Sequence, residues 1–136
     1  METKIFLNLA VKDLNKSIAF FTQLGFSFNS KFTNEQGTCL VIGKNINAML
    51  LTKEFYQTFT NKQICNTATT NEVIISISVE GRDKVDEMMD KVIKAGGSEY
   101  MKTQDYDWMY NRTFLDLDGH QWEVFYMNES KIPEMK

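Results

Sequence analysis

The 136 residues are 43% hydrophobic and 24% charged, which is enough apolar material for a folded core and too much for a disordered chain. Fifteen Lys and Arg face 18 Asp and Glu, with neither sign in a long block, so the basic field of a nucleic-acid binder is excluded. Nothing is long and apolar enough to span a bilayer, the opening Met1-Glu2-Thr3-Lys4 is unlike a signal peptide, and Cys39 and Cys65 lie far apart without a partner pair. A reduced, cytoplasmic setting is expected, with no zinc site and no disulfide.

Residues 5–11 alternate, with Ile5, Leu7, Leu9 and Val11 on one face and Phe6, Asn8 and Ala10 on the other, the period of a half-buried strand. Asp13 stands at an N-cap position, and Leu14, Ile18 and Phe21 trace one helix face until Gly25 closes the segment. Strands are predicted at 26–32, 38–42 and 48–52, separated by Asn34-Glu35-Gln36-Gly37 and Gly43-Lys44-Asn45. Phe55, Tyr56 and Phe59 follow in a short helix, as core or as lid.

After a polar stretch at 61–71 the order returns. Val73, Ile75, Ile77 and Val79 alternate against Ile74, Ser76 and Ser78; Asp83 stands at a cap; Val85, Met88, Met89, Val92 and Ile93 form one stripe; and Gly96-Gly97 ends it. Strands are expected at 98–101, 110–115 and 121–127, with Asp116-Leu117-Asp118-Gly119 as the last turn. Two βαβββ modules result, 1–60 and 72–128, in one α+β domain. A single split α+β domain without a true repeat is the alternative.

Two motifs carry a family resemblance. Val11-Lys12-Asp13, then Ser17-Ile18-Ala19-Phe20-Phe21, then Leu24-Gly25-Phe26 resemble the V-x-D, S-x-x-F-[YF] and L-G-[FM] run of the vicinal oxygen chelate superfamily, the glyoxalase and bleomycin-resistance group. Asp116-Leu117-Asp118-Gly119-His120-Gln121-Trp122-Glu123-Val124 resembles its D-P-D-G-x-x-[WI]-E-[LV] signature, with Leu117 in place of proline. The resemblance implies two modules pairing their sheets into a cup, helices outside and ligand within. It fixes a place for chemistry, not a reaction.

The superfamily's enzymes commonly hold a divalent metal through His or Glu at four strand positions. Here those positions are Phe6, Ile74, Glu123 and Leu50, or Met49 if the register slips by one. Only Glu123 has a donor atom, and a single carboxylate does not make a transition-metal site, so no metal cofactor is expected. His120, beside the turn, reads as a half-exposed residue.

If Trp122 and Val124 face the helices, then Gln121, Glu123 and Phe125 face the cup together with Phe6, Asn8, Leu50, Ile74, Ser76 and Ser78. Glu123 serves there as general base or hydrogen-bond acceptor, or else pairs with Arg112 as structural filling. Trp108 and Tyr110, in Tyr106-Asp107-Trp108-Met109-Tyr110, close over a flat ligand or form a dimer contact. Two function classes follow. One is a metal-independent lyase or isomerase using Glu123 on a small carbonyl or hydroxylated substrate. The other is a non-catalytic drug or metabolite binder of the bleomycin-resistance type. An extradiol dioxygenase-like enzyme with displaced metal ligands is a third reading, and a homodimer is expected because sheet edges need covering.

Overall fold

In the computed structural model, which describes residues 1–134, the alternating segment Ile5–Val11 is strand β1. Asp13, in extended conformation, caps helix α1 (Leu14–Gln23): its carboxylate accepts the Lys16 N–H at 3.1 Å, satisfying a backbone donor that the helix cannot. The buried stripe of α1 is Leu14, Ser17, Phe20 and Phe21, and the two phenyl rings meet edge to face at 5.0 Å. Strands β2 (Ser27–Asn29), β3 (Gly37–Gly43) and β4 (Ile46–Thr52) and a short helix α2 (Lys53–Gln57) complete the first compact unit, Met1–Asn66.

The second unit, beginning at Thr67, repeats the plan with β5 (Ile74–Ser78), α3 (Arg82–Ala95), β6 (Ser98–Asp105), β7 (Met109–Leu115) and β8 (Gln121–Met127). The strand orders correspond: β1-β4-β3-β2 and β5-β8-β7-β6. In each sheet the first strand runs parallel to the last and the remaining pairs are antiparallel. The fold is therefore α+β, two βαβββ modules as the repeat predicts.

Each sheet has one face packed beneath its own long helix. In the first module that face carries Leu9, Leu40 and Leu50, and in the second Phe114, Trp122 and Val124 lie against Val85, Met89 and Val92 of α3, all of them fully buried. Burying each such side chain contributes about 1.5–3 kcal/mol, which makes these helix-facing layers the main source of cohesion within each module.

Four local expectations need correction. The strand predicted over 26–32 stops at Asn29, because the Asn29 side chain accepts the Lys31 N–H at 3.0 Å and turns Ser30–Phe32 into a 3-10 segment. Asp83 does not cap α3; Gly81 precedes the helix with no side-chain cap, and Asp83 lies in the first turn, where its charge favours the helix dipole. Strand β6 runs on past Met101 to Asp105 through a register shift, with Met101 itself at φ 61°. And β5 starts at Ile74 rather than Val73. The end of α3 follows the expected pattern, with Gly96 at φ 103°, a conformation that favours glycine.

Candidate functional site

The registers determine which side chains share the face of the second sheet turned away from α3. Tyr100, Thr113, Glu123 and Ser76 form one row across β6, β7, β8 and β5. Gln104, Asn111, Phe125 and Ser78 form the next, and Ser98, Leu115, Gln121 and Ile74 the row on the other side. A row across a sheet brings residues far apart in sequence within side-chain reach.

Glu123 is at the centre of this face and is half-buried. Ser76 Oγ donates to Glu123 Oε1 at 2.7 Å, and Asn111 Nδ2 donates to Oε2 at 3.1 Å. Both donors are neutral, and Glu123 forms no ion pair among the described residues. The carboxylate is thus oriented by hydrogen bonds with its charge left uncompensated. Asn111 is buried and also donates to Gln104 Oε1 at 3.2 Å, while Gln121, also buried, accepts from Asn71 at 2.7 Å.

Arg112 does not pair with Glu123. Strand alternation puts it on the opposite face, where Nη1 meets Asp86 of α3 at 2.8 Å and Nη2 meets Glu99 at 2.9 Å. Tyr110 faces the same way: its hydroxyl donates to Asp86 at 2.7 Å, and Arg82 lies over its ring. The Tyr110 hydrogen bond, joined by that of Arg112, holds the Asp86 carboxyl below the usual range. Both residues brace α3 against the sheet, on the face opposite Glu123. Trp108 lies at the β6–β7 hairpin tip, stacked on Tyr106 at 5.8 Å.

In the first module the corresponding face carries Phe6, Asn8 and Ala10 of β1, paired with Asn47, Met49 and Leu51 of β4. Of the two positions the sequence leaves open, Leu50 lies in the helix-facing core, paired with Leu9, and Met49 is the one that matches Glu123, opposite Asn8 as Glu123 is opposite Ser76.

His120 is also corrected, being buried rather than half-exposed. Asp116 organises the turn: its carboxylate accepts the Asp118 and His120 backbone N–H groups, the His120 Nδ1 at 2.9 Å and the Trp122 indole N–H at 3.0 Å. Burial lowers the His120 pKa, but the hydrogen bond and charge of Asp116 outweigh it and the net shift is upward. Thr67 Oγ1 donates to the Asp118 carbonyl, and a Cβ on Gly119 would approach the Thr67 carbonyl to 2.8 Å, so only glycine fits that close crossing. A cleft of about 130 Å³ opens beside it, lined by residues including Thr67, Asn71, Tyr100 and Gln121, and so adjoins the Glu123 face.

The family model described as Glyoxalase/Bleomycin resistance protein/Dioxygenase superfamily matches residues 5–124. The chain belongs to this superfamily. Among solved structures it is similar to hypothetical protein SA1046 from S. aureus, at 29% identity and a TM-score of 0.78 over 93% of this chain and 95% of that one. It also resembles a family enzyme from Burkholderia phytofirmans PsJN (17%, TM-score 0.74, covering 90% and 96%) and a glyoxalase-related enzyme from Fulvimarina pelagi (16%, 0.78, 93% and 88%), where the likeness is one of fold alone. No curated protein matches the sequence.

The superfamily's usual divalent metal does not fit the residues here. Phe6, Met49 and Ile74 have no hard donor atom, and the carboxylate of Glu123 is alone. Asp116, Asp118 and His120 do cluster, with candidate ligand atoms within 4.8 Å of one another, but the Asp116 oxygens are already taken by four N–H groups. That group is a turn staple.

Asn111, Thr113, Gln104 and Tyr100 also lie on the Glu123 face, beyond the residues expected from the sequence. A signal existed: setting Leu115 opposite Gln121 across the Asp116–Gly119 turn and stepping by two pairs Thr113 with Glu123 and Asn111 with Phe125. Gln104 was out of reach, since its place depends on the β6 register shift.

Proposed function

We propose that the protein binds a small molecule on the open face of the second sheet, with Glu123 as the principal hydrogen-bond acceptor. The observation that carries this reading is a half-buried carboxylate oriented by two neutral donors, Ser76 and Asn111, with no cation paired to it among the described residues. A carboxylate fixed by two neutral donors keeps acceptor capacity for a ligand, and the same face offers apolar surface in Ile74 and Phe125, the usual make-up of a ligand site. The protein acts on this reading as a metal-independent binder, of a drug or a metabolite. Dimerisation is part of the proposal, since each four-stranded sheet ends in two edge strands; sedimentation of a monomer at tens of micromolar contradicts it. No described helix is long and apolar enough to cross a membrane, and a cytoplasmic location is proposed from the wide separation of Cys39 and Cys65 along the sequence.

A second reading has one specific support. The Ser76 and Asn111 bonds fix the Glu123 carboxylate as a general base must be fixed, so lyase or isomerase chemistry on a carbonyl or hydroxylated substrate remains a coherent use of the same residue. Glu123→Gln separates the two. In a binder the change weakens ligand affinity by about 1–3 kcal/mol. In an enzyme it preserves affinity and lowers turnover about a hundredfold or more. No effect on either overturns the site.

A further inference from the structure

Among the described residues, one buried side-chain polar atom lacks a hydrogen-bond partner, and it is Asn111 Oδ1. The amide orientation is set by chemistry: Glu123 is acceptor-only when ionised, so the NH₂ end of Asn111 must face it, and the same NH₂ also serves Gln104. Both amide protons are committed, and the oxygen keeps two lone pairs that accept no hydrogen bond, while Glu123, bonded to the other end of the same amide, has acceptor capacity to spare. A buried acceptor left unsatisfied costs about 1–3 kcal/mol. The Gln104 side chain, exposed on strand β6, meets Asn111 through a single hydrogen bond.

Resting on the binding reading above, we propose that this face selects a ligand whose recognised group is an N–H donor cation, an amidinium, guanidinium or primary ammonium, and that Asn111 is the specificity-determining residue. Such a group places one N–H on Asn111 Oδ1 and another on Glu123, satisfying the orphan acceptor and the uncompensated charge together. An anionic or acceptor-rich ligand meets only acceptors there and is rejected.

The test uses the full chain and three probes with one ring: benzamidine, benzamide and benzoate, titrated while the Asn111 side-chain amide signals are followed by NMR. The expected result is saturable benzamidine binding that moves those signals, benzoate binding weaker by about tenfold or more, and benzamide between, because the loss of one charge-assisted hydrogen bond is of that order. Asn111→Leu should cost benzamidine a similar factor; if that variant does not fold, the wild-type amide shifts decide. Benzoate binding as well as benzamidine, no benzamidine binding, or an unshifted Asn111 amide overturns the proposal. Benzoate binding that is lost in Glu123→Gln overturns this inference and leaves the binding reading intact, whereas a silent Glu123→Gln with every probe overturns both.

Discussion

The two modules use the same strand order and the same register to opposite ends. In the first, the row Asn29, Cys39, Met49 and Asn8 crosses the face turned away from α1; in the second, the equivalent row is Tyr100, Thr113, Glu123 and Ser76. The polar groups of the first face are largely consumed internally. Asn47 takes the Cys39 thiol on its oxygen and gives its nitrogen to the Ile5 carbonyl, and Gly37 stands where the second module has Asn111, tight against Leu51. The second face keeps an unpaired carboxylate and an orphan acceptor. One scaffold, built twice, thus carries different side chains on its two corresponding faces.

The sharpest way to break this comparison is at the turns before the last strands. Asp116→Ala strands several buried N–H donors, and we expect a loss of about 3–5 kcal/mol in urea unfolding. Asn45→Ala, in the matching exposed turn of the first module, should cost under about 0.5 kcal/mol. Equal losses would mean that the two turns are not differently built.

The register claim is next in size. Leu50→Ala should cost about 2–5 kcal/mol as a core cavity, and its neighbour Met49→Ala about 1 kcal/mol. A reversed order would return Leu50 to the open face.

Strand alternation explains what could be read beforehand. The period-2 patterns of 5–11 and 121–127 placed Phe6, Asn8, Gln121, Glu123 and Phe125 on the open faces where the structure has them. Between Leu50 and Met49 the sequence leaves the register open, because the β3–β4 pairing shifts between Val41 and Gly43 and only the paired strands resolve it. Arg112 and Tyr110 have the chemistry of ligand-facing residues, but strand parity puts them under α3. His120 follows from no periodicity at all; its burial is due to Asp116, whose four hydrogen bonds span a turn that carries no pattern.

Smaller effects sharpen the division between faces. Arg112→Ala should destabilise by about 1 kcal/mol, since its partners are partly exposed, and the double change with Glu123→Gln should be additive within about 0.5 kcal/mol, because the two share no partner. Strong coupling would reinstate the Arg112–Glu123 pair. His120 gives the mildest signature. Its folded pKa is raised, so its contribution is complete below the unfolded value of about 6.5 and fades as pH rises through the folded value. Melting temperature should therefore fall with rising pH across that window in the wild type, and the slope should flatten in His120→Gln.

The most direct test of the central claim is a protein-observed NMR fragment screen run on the wild type, Glu123→Gln and Met49→Gln. The account predicts hits that shift Ser76, Asn111 and Glu123, that weaken about tenfold or more in Glu123→Gln, and that persist within about twofold in Met49→Gln. Hits that map to Asn8 and Met49 instead, or that survive Glu123→Gln unchanged, would contradict it.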